Sequence, residues 1–114
     1  EPILYGWKDG AAHYWGGDRK QTSVWEIERP KKSKVHPTMK PVALFARAIR
    51  MGCRLGGIVL DPFCGSGTTV LAAEQQGRRA RVLEVEPHYC DIILQRWEDA
   101  TGGTAERLVE GADA

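Results

Sequence analysis

Between Pro41 and Asp99 the apolar positions switch repeatedly between helical and strand spacing. Leu44, Phe45, Ala48 and Ile49 recur three and four apart, which predicts a helix from Pro41 through Met51 with those residues as its buried stripe. Proline suits a first helical turn, and Gly56-Gly57 breaks the pattern. Ile58-Val59-Leu60 is a short apolar, partly β-branched run, which predicts a strand covered on both faces. Asp61-Pro62 ends it, because proline has no N–H for the ladder. Helical spacing resumes from Thr68 through Val70, Leu71 and Ala73, with Gly77 as the stop. A second apolar run, Val82-Leu83-Glu84-Val85-Glu86, predicts another strand. Pro87 then marks the start of a helix carrying Ile92, Ile93, Arg96 and Trp97. Upstream, residues 3–8 and 22–28 read as strands separated by the turn signal Asp9-Gly10. In the second of these, Trp25 and Ile27 share one face while Val24, Glu26 and Glu28 share the other. From Thr101 the pattern fades into a short helix and a flexible tail.

The junction Asp61-Pro62-Phe63-Cys64-Gly65-Ser66-Gly67-Thr68 is the part of this pattern that carries chemistry. A strand, a turn with two glycines and a helix N-terminus form a polar cradle at the carboxyl end of a sheet, where open α/β sheets bind ligands. Glu84 follows Gly65 by nineteen positions, close to the spacing at which nucleotide-type folds place an acid against ribose hydroxyls. The strand and helix order is that of a β-α-β-α unit for an adenosine-like ligand. Four readings of the turn are open. A triphosphatase loop needs a lysine where Thr68 stands, and a dinucleotide loop needs a third glycine where Val70 stands. S-adenosylmethionine has ribose hydroxyls but no pyrophosphate and needs fewer glycines. The fourth reading is a structural turn without a ligand.

Charge is informative in one segment. The net charge of +1 is uninformative, but Arg29, Lys31, Lys32, Lys34 and Lys40 form a block with no acid among them. Pro30 and Pro37 keep that block extended. It reads as solvated surface or as cations set against phosphates. The aromatic residues also have two readings. Tyr5, Trp7 and Trp25 pack a core edge, while Tyr14 and Trp15, on a loop flanked by glycine, either join them or stack on a base. With 114 residues, 42% hydrophobic and 27% charged, the chain is one globular domain at most. It has no apolar stretch long enough for a membrane span, no signal-peptide pattern and no metal-ligand spacing. Cys53, Cys64 and Cys90, odd in number, read as reduced thiols, which points to a cytoplasmic protein.

The run Asp61-Pro62-Phe63-Cys64-Gly65-Ser66-Gly67-Thr68-Thr69 resembles the cofactor motif of the amino-group DNA methyltransferases, which act on adenine N6 or cytosine N4. His36-Pro37-Thr38-Met39-Lys40-Pro41 resembles that family's other cofactor motif, usually His-Pro-Thr-Gln-Lys-Pro, with Met39 as the departure. The resemblance covers the chain from about Gly6 to Gly102. It implies an α/β, Rossmann-like methyltransferase fold of three αβα layers, present in part, with S-adenosylmethionine as cofactor and double-stranded DNA as partner. The implied cofactor residues are Thr38, Lys40, Asp61, Pro62, Phe63, Gly65, Ser66, Gly67, Thr68 and Glu84, with Thr38 and Lys40 facing the methionine part. His36 reads as positioning backbone, with proton donation as the alternative. Arg29, Lys31, Lys32 and Lys34 become DNA contacts. Residues 1–35 fall to a recognition region, 36–102 to the cofactor-binding core and 103–114 to a tail.

One family element is missing. The Asp/Asn/Ser-Pro-Pro-aromatic motif that grips the target amine does not occur in the chain, and Asp61-Pro62-Phe63 lacks its second proline. One motif order in the family places it before the His-Pro-Thr motif, hence upstream of Glu1. The resemblance therefore implies the cofactor half of an adenine-N6 methyltransferase, inactive alone. Cytosine-N4 specificity and a module that binds cofactor or DNA without turnover are the alternatives.

Overall fold

The structure, a computed structural model, describes residues 2–12, 14–18, 20–28 and 39–108. The elements alternate as α1 (Val42–Gly52), β1 (Ile58–Asp61), α2 (Thr68–Gln75), β2 (Arg79–Val82) and α3 (Pro87–Thr101). β1 and β2 lie parallel, with Ile58 beside Arg79 and Asp61 beside Val82, and α2 is the crossover between them. No described helix is long and apolar enough to cross a membrane.

The core lies between one face of this sheet and the helices α1 and α2. Ala46 and Ile49 of α1 meet Ala72 and Ala73 of α2, and Val42, Phe45, Cys53, Val59 and Ala80 close around them. Ala72 and Ala73 are 0% and 1% exposed. With only a methyl group at each position, α2 comes close both to the sheet and to α1. Arg78 closes the far end, its guanidinium donating to the Cys53 carbonyl from Nε at 3.2 Å and from Nη2 at 2.8 Å. α3 ends at Gly102, whose φ of 74° is the left-handed C-cap conformation that glycine adopts without strain.

Several expectations need correction. β1 is covered on one face only: Ile58 and Leu60 are 54% and 69% exposed, since every described helix that reaches the sheet packs on the Val59 side. Two layers of the three expected are therefore present among the described residues. β2 is Arg79–Val82 rather than residues 82–86, because its partner ends at Asp61, before the proline that cannot extend the ladder. Leu83 and Val85 are consequently exposed. In α1 the inward residues are Ala46, Ile49 and Met51, and Ala48 faces solvent. Phe45 packs against the core as expected, and Leu44 is half-buried.

Residues 3–8 and 22–28 form no strand. The alternation in the second segment does set burial, with Trp25 and Ile27 half-buried and Val24, Glu26 and Glu28 exposed, but it pairs with no strand among the described residues. Side chains anchor these segments instead. The Tyr5 ring meets Trp7 and Trp15 at centroid distances of 5.7 and 5.3 Å. Trp25 lies under the Arg47 guanidinium at 4.4 Å, and Tyr14 under that of Arg54 at 4.7 Å. Residues 102–108 form no helix.

The close approach of α2 makes its alanines sensitive to volume. Ala72→Leu should destabilise the fold by about 1–3 kcal/mol, as overpacking of a tight core does. Urea unfolding is the check, with the midpoint lowered and the slope unchanged.

Candidate functional site

The turn between β1 and α2 is held residue by residue. Asp61, the last residue of β1, accepts the Phe63 amide on Oδ1 at 3.0 Å and the Thr69 hydroxyl on Oδ2 at 2.5 Å. The Cys64 amide donates to the Leu83 carbonyl at 3.0 Å, and the Cys64 carbonyl accepts the Gly67 amide at 3.2 Å. This closes a tight turn in which Gly65 has φ 59° and Gly67 φ 91°, a region glycine enters without steric cost. The Gly65 amide donates at 2.8 Å to Glu84 Oε1, and Glu84 Oε2 accepts the Glu86 amide at 3.0 Å. The Thr68 hydroxyl donates to the Lys40 carbonyl at 3.1 Å, joining the segment before α1 to the start of α2. From α3, Arg96 Nη1 donates to the Ser66 carbonyl at 2.7 Å and to its Oγ at 3.1 Å.

Lys40, Asp61, Gly65, Ser66, Gly67, Thr68 and Glu84 are thus brought together by direct contacts or through one shared neighbour. Ser66, Thr68 and Thr69 are buried, whereas Pro62 is exposed and Phe63 is 88% exposed at the rim. Each carboxylate oxygen of Asp61 accepts one hydrogen bond from within the turn. A carboxylate has about four acceptor positions, so Glu84 keeps two beyond the amides of Gly65 and Glu86. Thr38, the other residue assigned to the methionine side, lies outside the described residues, as do Arg29, Lys31, Lys32, Lys34 and His36.

Two findings were not legible beforehand. A Cβ on Gly67 would sit 2.9 Å from Ile93 Cγ1, so the side of this glycine that a side chain would occupy faces α3 and admits that helix. Arg96 reaches the turn from a position that reads as one more member of a helical stripe. A cation among Ile92, Ile93 and Trp97 on an inward face was the signal available for it.

Cys64 is 8% exposed, and its thiol is pushed up to about 11 from 9.0, by burial first and then by the charges of Asp61 and Glu84. Backbone amides of Val70 and Gly67 oppose that shift without cancelling it. The thiol is neutral at physiological pH and is not a nucleophile there.

A glycine turn at the end of one parallel strand, tied to a carboxylate just beyond the end of the next, is the ligand-binding arrangement of a Rossmann-like α/β protein. The chain belongs to the N6_N4_Mtase family, DNA methylase, whose description matches residues 4–95. The DNA adenine methyltransferase YhdJ of Escherichia coli (strain K12) is 37% identical over 92 residues, covering 77% of this chain and 31% of that protein. The crystal structure of the M1.HpyAVI–SAM complex superimposes with a TM-score of 0.67 at 28% identity, covering 79% of this chain and 46% of that one. For the PvuII DNA methyltransferase, described as cytosine-N4-specific, the TM-score is 0.61 at 26% identity, over 68% of this chain and 32% of that one. The fold is therefore the Rossmann-like methyltransferase fold, present in part. Three curated relatives are matched over 29%, 42% and 31% of their own lengths, so the chain spans less than half of each.

The state of Cys64 has a measurable consequence. Because its folded value lies above 9.0, the stability it contributes is complete below pH 9 and is lost as pH rises towards about 11. In an iodoacetamide time course at pH 8 read by peptide mapping, Cys64 should react last of the three cysteines, and in urea it should react with the others.

Proposed function

We propose that this chain is the cofactor-binding part of an S-adenosylmethionine-dependent DNA methyltransferase, acting on adenine N6, whose catalytic motif lies outside these residues. The observation that carries the reading is the bond from the Gly65 amide to Glu84, which sets a glycine turn and a ribose-type acid side by side. S-adenosylmethionine supplies a methyl group on a positively charged sulfur. The residues present suit that molecule. Glu84 has acceptor positions left for the ribose hydroxyls, and Gly65 presents main chain without a side chain in the way. Ser66 and Thr68 line the turn, Pro62 and Phe63 form its exposed rim, and Thr38 and Lys40 take the methionine end. The turn is ordered by its own hydrogen bonds, which reduces what cofactor binding must spend on fixing it.

Methyl transfer to an exocyclic amine is an in-line displacement that depends on alignment. The target base must leave the duplex to reach the donor. Its amine needs acceptors to orient it and to stabilise the charge that develops on nitrogen. This chain has no Asp/Asn-Pro-Pro-aromatic motif to supply them, and it spans less than half of its curated relatives. Residues 1–35 then belong to a recognition region, 36–102 to the cofactor core and 103–114 to a tail, with Arg29, Lys31, Lys32 and Lys34 set against DNA phosphates. The likeness to the adenine enzyme YhdJ, 37% identical over 92 residues, supports the adenine reading, with cytosine-N4 as its alternative.

Glu84→Gln keeps the shape of the side chain but removes its charge and one of its paired acceptors. It should weaken S-adenosylhomocysteine binding by roughly 1.5–3 kcal/mol, read by calorimetry with circular dichroism as the control for folding. Activity is the wider test. Assayed for tritiated-methyl incorporation into mixed-sequence DNA, these 114 residues should transfer nothing alone, and a longer protein that carries the Pro-Pro motif should methylate adenine. Clear incorporation by the chain alone would place the catalytic residues within it, with Asp61-Pro62-Phe63 the first to reconsider.

A further inference from the structure

We propose that Arg96 is a positioning residue for the cofactor turn, its guanidinium fixing the Ser66–Gly67 peptide from behind. The inference rests on the cofactor reading of that turn. The other side-chain ties come from the two motif segments or from the ribose-type acid: Asp61 binds within the turn, Glu84 takes the Gly65 amide, and Thr68 reaches the Lys40 carbonyl. The Arg96 tie comes from α3, outside both motifs. Nη1 meets the Ser66 carbonyl at 2.7 Å and its hydroxyl oxygen at 3.1 Å, and Ser66 is 4% exposed. One turn earlier on the same helix, Ile93 occupies the space beside Gly67. Ile93 and Arg96 therefore form one face of α3 against two successive residues of the turn.

An arginine is an expensive choice for that place. Burial lowers its pKa, and none of its hydrogen bonds goes to a carboxylate. A hydrocarbon side chain would fill the gap without desolvating a charge. What the guanidinium adds is direction. In a trans peptide the carbonyl and the following N–H point opposite ways. Holding the Ser66 carbonyl towards α3 turns the Gly67 amide away from it, to the Cys64 carbonyl at 3.2 Å. Glu84 holds the Gly65 amide and Arg96 holds the Ser66 carbonyl, so the main chain on either side of the Gly65–Ser66 peptide is gripped by opposite charges from β2's end and from α3.

The test uses the full-length protein with Arg96→Met and Arg96→Lys. For Arg96→Met, the dissociation constant of S-adenosylhomocysteine and the KM for S-adenosylmethionine should each rise about tenfold, the size expected for losing a charged hydrogen bond. The kcat should stay within about twofold of wild type and the KM for DNA should not move, the pattern of lost binding rather than lost chemistry. Arg96→Lys, which keeps the charge and can make a single bond, should fall between the two. A purely structural tie predicts otherwise: a lower thermal midpoint, with wild-type affinity wherever the protein remains folded. Folded Arg96→Met with wild-type affinity overturns the proposal, as does a loss confined to kcat. If Arg96→Met does not fold, Arg96→Lys decides, and wild-type affinity there overturns it. Wild-type protein that binds no S-adenosylmethionine overturns the cofactor reading itself, and this proposal with it.

Discussion

The Glu84 carboxylate, accepting one amide from the glycine turn and one from the start of α3, is the interaction on which the rest of the site depends. It lies just past β2, and through it the end of the ladder sets the position of a loop that begins at the end of β1. Hydrogen bonds to a carboxylate are stronger than those between neutral groups, and a half-buried carboxylate is costly to leave unpaired. The turn and the acid are therefore ordered together. One carboxylate thus orients main chain on both sides of the cleft between the turn and the start of α3.

The crossover helix supplies the other constraint. α2 is short and presents Ala72 and Ala73 to its neighbours, so β1, β2 and α1 converge on it closely. Its first turn is buried through Thr68 and Thr69, which hydrogen-bond the segment before α1 and the end of β1. The result is a helix start with little freedom to shift, directly behind the glycines.

Much of this was legible in the sequence where local chemistry decides the structure. Glycine, proline and the acid at nineteen residues' spacing located the turn and its partner, and Pro87 marked the start of α3. What escaped depends on neighbours. The second strand shifted towards Arg79 because register follows the partner strand, which the apolar run Val82–Val85 does not encode. The upstream segments have strand-like alternation, but alternation does not bring a segment to a sheet edge, and side-chain contacts such as Arg47 over Trp25 hold them elsewhere. Ala46 displaced Ala48 in the core because the position of α2 decides which side of α1 faces inward. Arg96 was visible as a residue, but its partner Ser66 lies thirty positions away, brought near only by the packing of α3.

The uncovered side of the sheet has a consequence for how the chain behaves in a test tube. Ile58 and Leu60 stand on a face that no described helix covers, and among the described residues each strand has one unpaired backbone edge. Leu83 and Val85 extend the exposed apolar surface past the end of β2. An apolar sheet face beside free edges is the geometry that recruits other strands and promotes precipitation at high concentration. The two-stranded sheet has no bulge or proline within it to deter such pairing; among the described residues, the arginines at 79 and 81 stand on that open face and keep copies apart. Raising ionic strength screens those charges, so concentrated salt is the condition under which the chain should be hardest to keep in solution.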